Sequence, residues 1–393
     1  MTELRPRSRI ESIDFMRGLV IVIMAIDHIR DLLHTTSLTQ DPLDLATTTP
    51  ALFMTRWVTH LCAPVFVFLA GTSAYLSLSA RNDRKSAARF LRERGLLLMV
   101  LELTVIGFGI WFDIYFRTLL LQVIFAIGAG FFILSFLLKL PARTLGFIGL
   151  GIIVFHNLTP LVSVGKDSFP GFLWSLLLDR GFFKLGETHG LMVGYPVIPW
   201  LGILLAGYGF GVVFTREESY RRRTLWKTGL AALSLFVILR SVNIYGDRKP
   251  WSVQDSFLHS VFSFIDVTKY PPSLLYASLM LSLMFFILYL ADGKQNRLTR
   301  FFITYGRVPM FFYILHWYLI HISMFVMLYL QGVAWNDLTF GIFEFGRPAS
   351  GVGLELPGLY LYWAGLILGM FPLCRWYDRY KSRRPDIKWL KYL

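Results

Sequence analysis

Apolar residues in this chain come in unbroken blocks rather than in alternating or one-faced patterns. The blocks are roughly 20 residues long, the length at which an α-helix spans ~30 Å of hydrocarbon. Ten are predicted as helices, over 12–33, 53–79, 90–112, 117–138, 143–162, 191–214, 224–244, 272–291, 303–330 and 357–376. Prolines mark several starts: Pro141 precedes the fifth, Pro271 and Pro272 open the eighth, and Pro357 opens the tenth. Proline suits a first helical turn, where its missing N–H has no intrahelical acceptor anyway. No repeat or low-complexity tract appears, and the loops are short. Residues 1–393 therefore read as one all-α, polytopic membrane domain.

Charge sets the predicted orientation. An even number of spans puts both termini on one side. With the termini in the cytoplasm, that side holds three basic residues before the first segment, six in 81–94, and two at Lys139 and Arg143. It also holds five in 216–227, three in 294–300 and seven from Arg375 onward, making 26 of the 39 Lys and Arg. Cytoplasmic loops of membrane proteins carry this excess. The loops 34–52, 163–190, 245–271 and 331–356, on the other side, are comparatively acidic. The net charge of +14 is thus topological and gives no reason to expect nucleic acid.

Composition agrees. The chain is 55% hydrophobic and 16% charged, against about 25% charged in soluble domains. That excludes a disordered chain and an ordinary soluble enzyme. Gly18 to Ile26 could pass for a signal peptide, but Asp27-His28-Ile29-Arg30-Asp31 follows where small cleavage-site residues belong. Cys62 and Cys374 lie in runs placed near opposite faces. A bridge needs Cα atoms within about 7 Å, so both are expected free.

Ionisable residues inside spans are costly, at roughly 2.5–3.5 kcal/mol near a helix centre, so they carry the functional information. Asp14 and Arg17 share a face at the inner end of the first helix. Its outer end holds Asp27, His28, Arg30, Asp31 and His34. There His28 is a candidate general base, with Asp31 or Asp27 orienting its ring and stabilising the imidazolium. His60, His316 and His321 are expected in the outer halves of other helices, suggesting a polar chamber open to the outside. The His-Glu-x-x-His spacing is absent, so no metal is expected. Tyr195, Trp200, Lys269 and Tyr270 lie at outer helix ends, as interfacial belt or as a stacking platform for a sugar. Gly202, Gly207, Gly209 and Gly211 suit close helix packing. Tyr305 to Pro309 is expected to open the ninth helix. A helix N-terminus beside Arg307 could hold phosphate, or be a plain interfacial helix start.

Several of these stretches resemble the heparan-alpha-glucosaminide N-acetyltransferase-like family. The matching stretches are Arg9-Ile10-Glu11-Ser12-Ile13-Asp14-Phe15-Met16-Arg17-Gly18 with Asp27-His28, and Cys62-Ala63-Pro64-Val65-Phe66-Val67-Phe68-Leu69-Ala70-Gly71-Thr72-Ser73. Pro199-Trp200-Leu201-Gly202, Lys269-Tyr270-Pro271-Pro272-Ser273 and Gly306-Arg307-Val308-Pro309-Met310-Phe311-Phe312-Tyr313 with His316 add to these. The tail, Cys374-Arg375-Trp376-Tyr377 and Trp389 to Leu393, is similar to the bacterial branch, which implies the bacterial cytoplasmic membrane. The resemblance implies a multi-pass acyltransferase that takes acetyl from cytoplasmic acetyl-CoA and delivers it to a sugar acceptor across the membrane. It departs in one place. The lysosomal member uses a histidine in the loop after the first helix, and aligning on Arg17-Gly18 puts that position near Thr39. His34 is then nearest in sequence, and an asparagine of that member aligns with His28.

These readings make His28, Asp27, Asp31 and His60 the candidate catalytic residues. Arg30, His34, Trp200, Lys269, Tyr270, His316 and His321 are candidates for the acceptor, and Tyr305 and Arg307 for acyl-CoA. Membrane lipid, acyl-CoA and a sugar amine or hydroxyl are the expected partners, and the pattern is compatible with a homodimer. The alternative is a proton-coupled transporter using the same Asp and His cluster. Transporters often carry inverted repeats, and none is visible here.

Overall fold

The computed structural model describes residues 10–79, 83–165, 168–384, 386–387 and 390. Arg5, Arg7, Arg9, Arg81, Lys388 and Lys391, counted above for orientation, lie outside the described residues, as do Trp389, Tyr392 and Leu393 of the tail motif.

Helix α1 (Glu11–Leu33) is followed by α2 (Pro50–Thr59) and α3 (Cys62–Leu78), two helices that meet at His60 and Leu61. Helix α4 (Arg84–Leu101) runs through a π-helical turn, Glu102–Ile106, into α5 (Gly107–Trp111). Strand β1 (Thr118–Leu121) leads into α6 (Val123–Leu137), then α7 (Ala142–Phe155) and α8 (Phe169–Leu177). Strands β2 (Gly181–Leu185) and β3 (His189–Val193) precede α9 (Val197–Phe210), α10 (Glu218–Val242) and α11 (Phe257–Ile265). The chain continues with α12 (Leu274–Ala291), α13 (Arg297–Arg307), α14 (Pro309–Leu330) and α15 (Leu356–Arg383).

The fold is mostly helical, with eight helices or joined helix pairs among the described residues long and apolar enough to cross a membrane. Of the ten predicted segments, α1 and α6 fall short of that standard. Helix α1 has the length but carries six ionisable groups other than His, and α6 is a 15-residue apolar helix. Four predicted segments are not continuous helices, one of them 53–79, which divides into α2 and α3 at His60 and Leu61. The segments 117–138 and 191–214 begin as strands, so the all-α expectation misses a small sheet ordered β1-β3-β2. Strand β3 pairs parallel with β1 and antiparallel with β2. The β2–β3 turn uses Gly186 at φ 79°, a left-handed conformation open to glycine. The segment 303–330 is broken at Val308, so α13 ends at Arg307 and α14 begins at Pro309. Likewise Pro271 and Pro272 precede α12, which starts after Ser273; the Ser273 hydroxyl caps it by accepting from the Tyr276 N–H at 2.9 Å.

Helix α1 is the central element, packed against α2, α3 and α12 to α15. Its approach to α13 is very close. A methyl at Gly18 would overlap the Phe302 carbonyl, and one at Gly306 would overlap the Asp14 carbonyl. The sixth-segment glycines also serve packing: Gly207 lies on the Phe68 backbone and Gly209 on Gly146. The ends of the bundle are tied by buried charges. At the end that holds the start of α1, Asp292 accepts from Ser12 at 2.9 Å and from Arg221 at 2.7 Å, joining α1, α10 and the end of α12. Arg240 donates to the carbonyls of Lys249, Ser263, Phe264 and Asp266 at 2.7–2.9 Å. Arg347 donates to Leu32 at 2.6 Å and Val352 at 2.8 Å. Each arginine satisfies carbonyls that an irregular buried loop would leave unpaired. Cys62 and Cys374 are buried and free.

Candidate active site

The C-terminal end of α1 opens on a polar cavity of about 100 Å³. Asp27, His28 and Asp31 enter it from α1 at helical spacings of one, three and four, hence from one face. The bend between α2 and α3 lets Arg56 and Thr59 come from one side of it and Cys62 and Phe66 from the other. The sheet supplies a further wall. The N–H groups of Gly194 and Tyr195 both donate to the Leu121 carbonyl at 3.1 Å, which sets Tyr195 beside Gln122 at the cavity. The segment held by Arg240 leads directly into Lys269 and Tyr270, and α14 closes the site with Tyr313 and Trp317.

Ion pairing organises the carboxylates. Arg30 bridges Asp27 at 3.1 Å and Asp31 at 2.5 Å, and Arg56 pairs with the second Asp27 oxygen. Lys269 is buried, makes no ion pair among the described residues, and holds its ammonium 4.9 Å from the centre of the Tyr270 ring. The Tyr270 hydroxyl meets that of Tyr195 at 3.2 Å. Three cations thus face two carboxylates, so the site favours an anion or a developing negative charge.

The expectation that Asp27 or Asp31 orients His28 is corrected by this geometry. Both carboxylates are engaged by arginines. His28 Nδ1 instead meets His316 Nε2 at 2.7 Å. His316 Nδ1 lies 3.1 Å from the Phe312 carbonyl, which can only accept, so that nitrogen carries the proton. His316 Nε2 is then the acceptor, and His28 Nδ1–H donates to it. The lone pair of His28 is left on Nε2, and His28 is one of the residues lining the cavity. The imidazole is also stacked on Trp317, with centroids 4.0 Å apart. A histidine held in one tautomer with its second nitrogen free is suited to general base work.

The other predicted residues separate. Asp27, His28, Asp31, Lys269 and Tyr270 line the cavity, and Arg30 and His316 support it from behind. His60 sits at the α2–α3 joint against Tyr276 and is not part of the lining. His34 caps the end of α1, where its Nδ1 accepts from the Thr36 N–H at 3.2 Å. Thr39 is in the exposed loop beyond. Trp200 is fully buried behind Tyr195. His321 is stacked on Phe112 and bonded to the Phe345 carbonyl at 3.0 Å, away from the cavity. Tyr305 is a core residue whose hydroxyl donates to the Ile367 carbonyl.

Arg307 needs a correction as well. It is the last residue of α13, at the negative end of that helix dipole, and stands one residue before Val308, the N-cap of α14, rather than within a helix start. It pairs with Asp378 at 3.5 Å. The depression it lines sets Arg221, Lys294 and Arg307 against Glu11, Glu218 and Asp292.

Sequence reasoning did not select Gln122, Tyr313, Trp317 or Glu102. Tyr313, His316 and Trp317 share one face of α14, so that signal was present. Glu102 is a carboxylate in an otherwise apolar run. It is 1% exposed, sits in the π-helical turn, and accepts from the Phe125 N–H at 3.0 Å, at the start of α6.

A family model described as heparan-alpha-glucosaminide N-acetyltransferase, catalytic, matches residues 9–246, more than half of the chain. The chain belongs to this family. The coarse activity follows: acetyl transfer by a membrane-embedded enzyme. The matched span carries the α1 cluster and Arg56, while Lys269, Tyr313 and His316 lie beyond it. No curated protein matches the chain.

Proposed function

We propose that this family member takes acetyl from cytoplasmic acetyl-CoA and delivers it to a sugar amine or hydroxyl on the outer side of the membrane, with His28 as general base. The observation that carries this reading is the His28–His316 hydrogen bond, which leaves His28 Nε2 free at a cavity lined by Lys269 and Tyr270. Ten spans with both termini cytoplasmic, in a bacterial cytoplasmic membrane, would give the reaction its sidedness. A cavity of about 100 Å³ is far below the roughly 300–1,000 Å³ of whole-ligand pockets. It suits the reacting acetyl group and the acceptor atom, with the rest of each substrate outside.

The chemistry balances without a metal. His28 Nε2 takes the proton from the acceptor nitrogen or oxygen as that atom bonds to the acetyl carbon. The C–S bond then breaks, and the departing thiolate recovers the proton from the imidazolium. Lys269 and Arg56 supply positive charge for the oxyanion formed between these steps. His316 accepts from His28 throughout and keeps Nε2 as the reactive nitrogen.

The test uses the purified protein with acetyl-CoA and glucosamine as the acceptor probe, following CoA thiol release and locating acetyl on N or O by mass spectrometry. His28→Asn should lower kcat by about 10²–10⁴-fold, the usual loss for a general base. A kcat within a few-fold of the parent removes His28 from that role.

A further inference from the structure

A second concavity, of about 540 Å³, shares no lining residue with the His28 cavity. Helices α7 and α9 pack together on one side of it, and α10 and α12 on the other. The α10 wall is a single stripe of Thr224, Thr228, Ala231 and Leu235, spaced by four, three and four residues. Short side chains along that stripe keep the cleft open, and Leu150 and Phe147 of α7 face it as apolar wall.

One end of the cleft is different. Arg143, at the start of α7, and Arg216, just before α10, both line it there, with Tyr220 beside them. Both arginines are exposed, and neither makes an ion pair among the described residues. This is the end that the basic loops assign to the cytoplasm. Any acyl chain could enter the apolar slot. Two unpaired guanidinium groups at its mouth select for a phosphate, which arginine binds through parallel N–H donors.

We propose that this cleft binds one anionic phospholipid, its phosphate on Arg143 and Arg216 and an acyl chain along the α10 stripe. The cleft shares no lining residue with the His28 cavity, so an acyl-CoA held within it would touch none of the groups proposed for the transfer, which favours a lipid as the occupant.

The test is native mass spectrometry of the full-length protein released from nanodiscs containing equal phosphatidylcholine and phosphatidylglycerol. One phosphatidylglycerol should be retained in preference to phosphatidylcholine. Arg143→Gln with Arg216→Gln should cut that preference by about 30-fold, the loss expected for two cations at a headgroup. Ala231→Trp fills the slot and should abolish retention with both arginines intact. Neither inorganic phosphate nor CoA should displace the lipid. Equal retention of the two lipids, retention unchanged in either variant, or displacement by phosphate or CoA overturns the proposal. A dimer dissociated by Ala231→Trp overturns it too, since a second copy would then be the occupant.

Discussion

Replacing His316 tests the hydrogen bond that sets the His28 tautomer without touching the cavity wall. His316 is fully buried and stacked on Phe312 at 5.2 Å, so His316→Phe keeps the ring and its packing. What it removes is the acceptor 2.7 Å from His28 Nδ1. In the variant, His28 can keep its proton on Nδ1 only by leaving a buried N–H unpaired, which costs about 1–3 kcal/mol. Moving the proton to Nε2 avoids that cost but abolishes the base. The reactive tautomer is therefore depleted, and at tenfold per 1.36 kcal/mol kcat should fall by about 5- to 160-fold. KM for acetyl-CoA and for glucosamine should stay within about twofold, because His316 is not among the cavity-lining residues. His316→Gln, whose side-chain carbonyl can accept from Nδ1, should recover part of the rate. Steady-state kinetics on folded, detergent-purified variants decides the matter. An unchanged kcat in His316→Phe, or a loss confined to KM, would refute this positioning role.

Asp27→Asn leaves Arg56 without its carboxylate and should destabilise the protein by about 3–5 kcal/mol, the cost of a buried unpaired charge. Thermal unfolding in detergent reads this, and the double variant Asp27→Leu with Arg56→Met should regain much of the loss. A single variant that unfolds like the parent would mean that the pair is solvated. Tags at residue 1 and residue 393 should both be accessible from the cytoplasm, and an outward-facing C-terminus would reverse the assignment of the outer cavity.

The sequence by itself determined the class of molecule and one wall of its site. Apolar blocks of spanning length, a basic bias to one side and a first helix with a charged outer end are one-dimensional features. So is the sharing of a face by Asp27, His28 and Asp31, because the helical period alone sets it. The Lys269-Tyr270 pair was legible as a helix-end candidate for the acceptor, and packing sets it in the same cavity. Which partner holds His28 was a question between helices. Asp31 looks right three residues along α1, yet it is drawn to Arg30 one residue away, while His316 arrives from α14 at the required depth and rotation. His60, His34 and His321 had the same credentials in sequence and point elsewhere. The break at Val308, which turned Arg307 from a helix start into a helix end, and the small sheet that sets Gln122 beside Tyr195 were equally invisible. Periodicity fixes the faces within one helix, but the rotation, depth and kinks that bring two helices together come from packing. Here that packing is the glycine contact of α1 with α13 and the arginine-bound outer loops, formed by residues far apart along the chain.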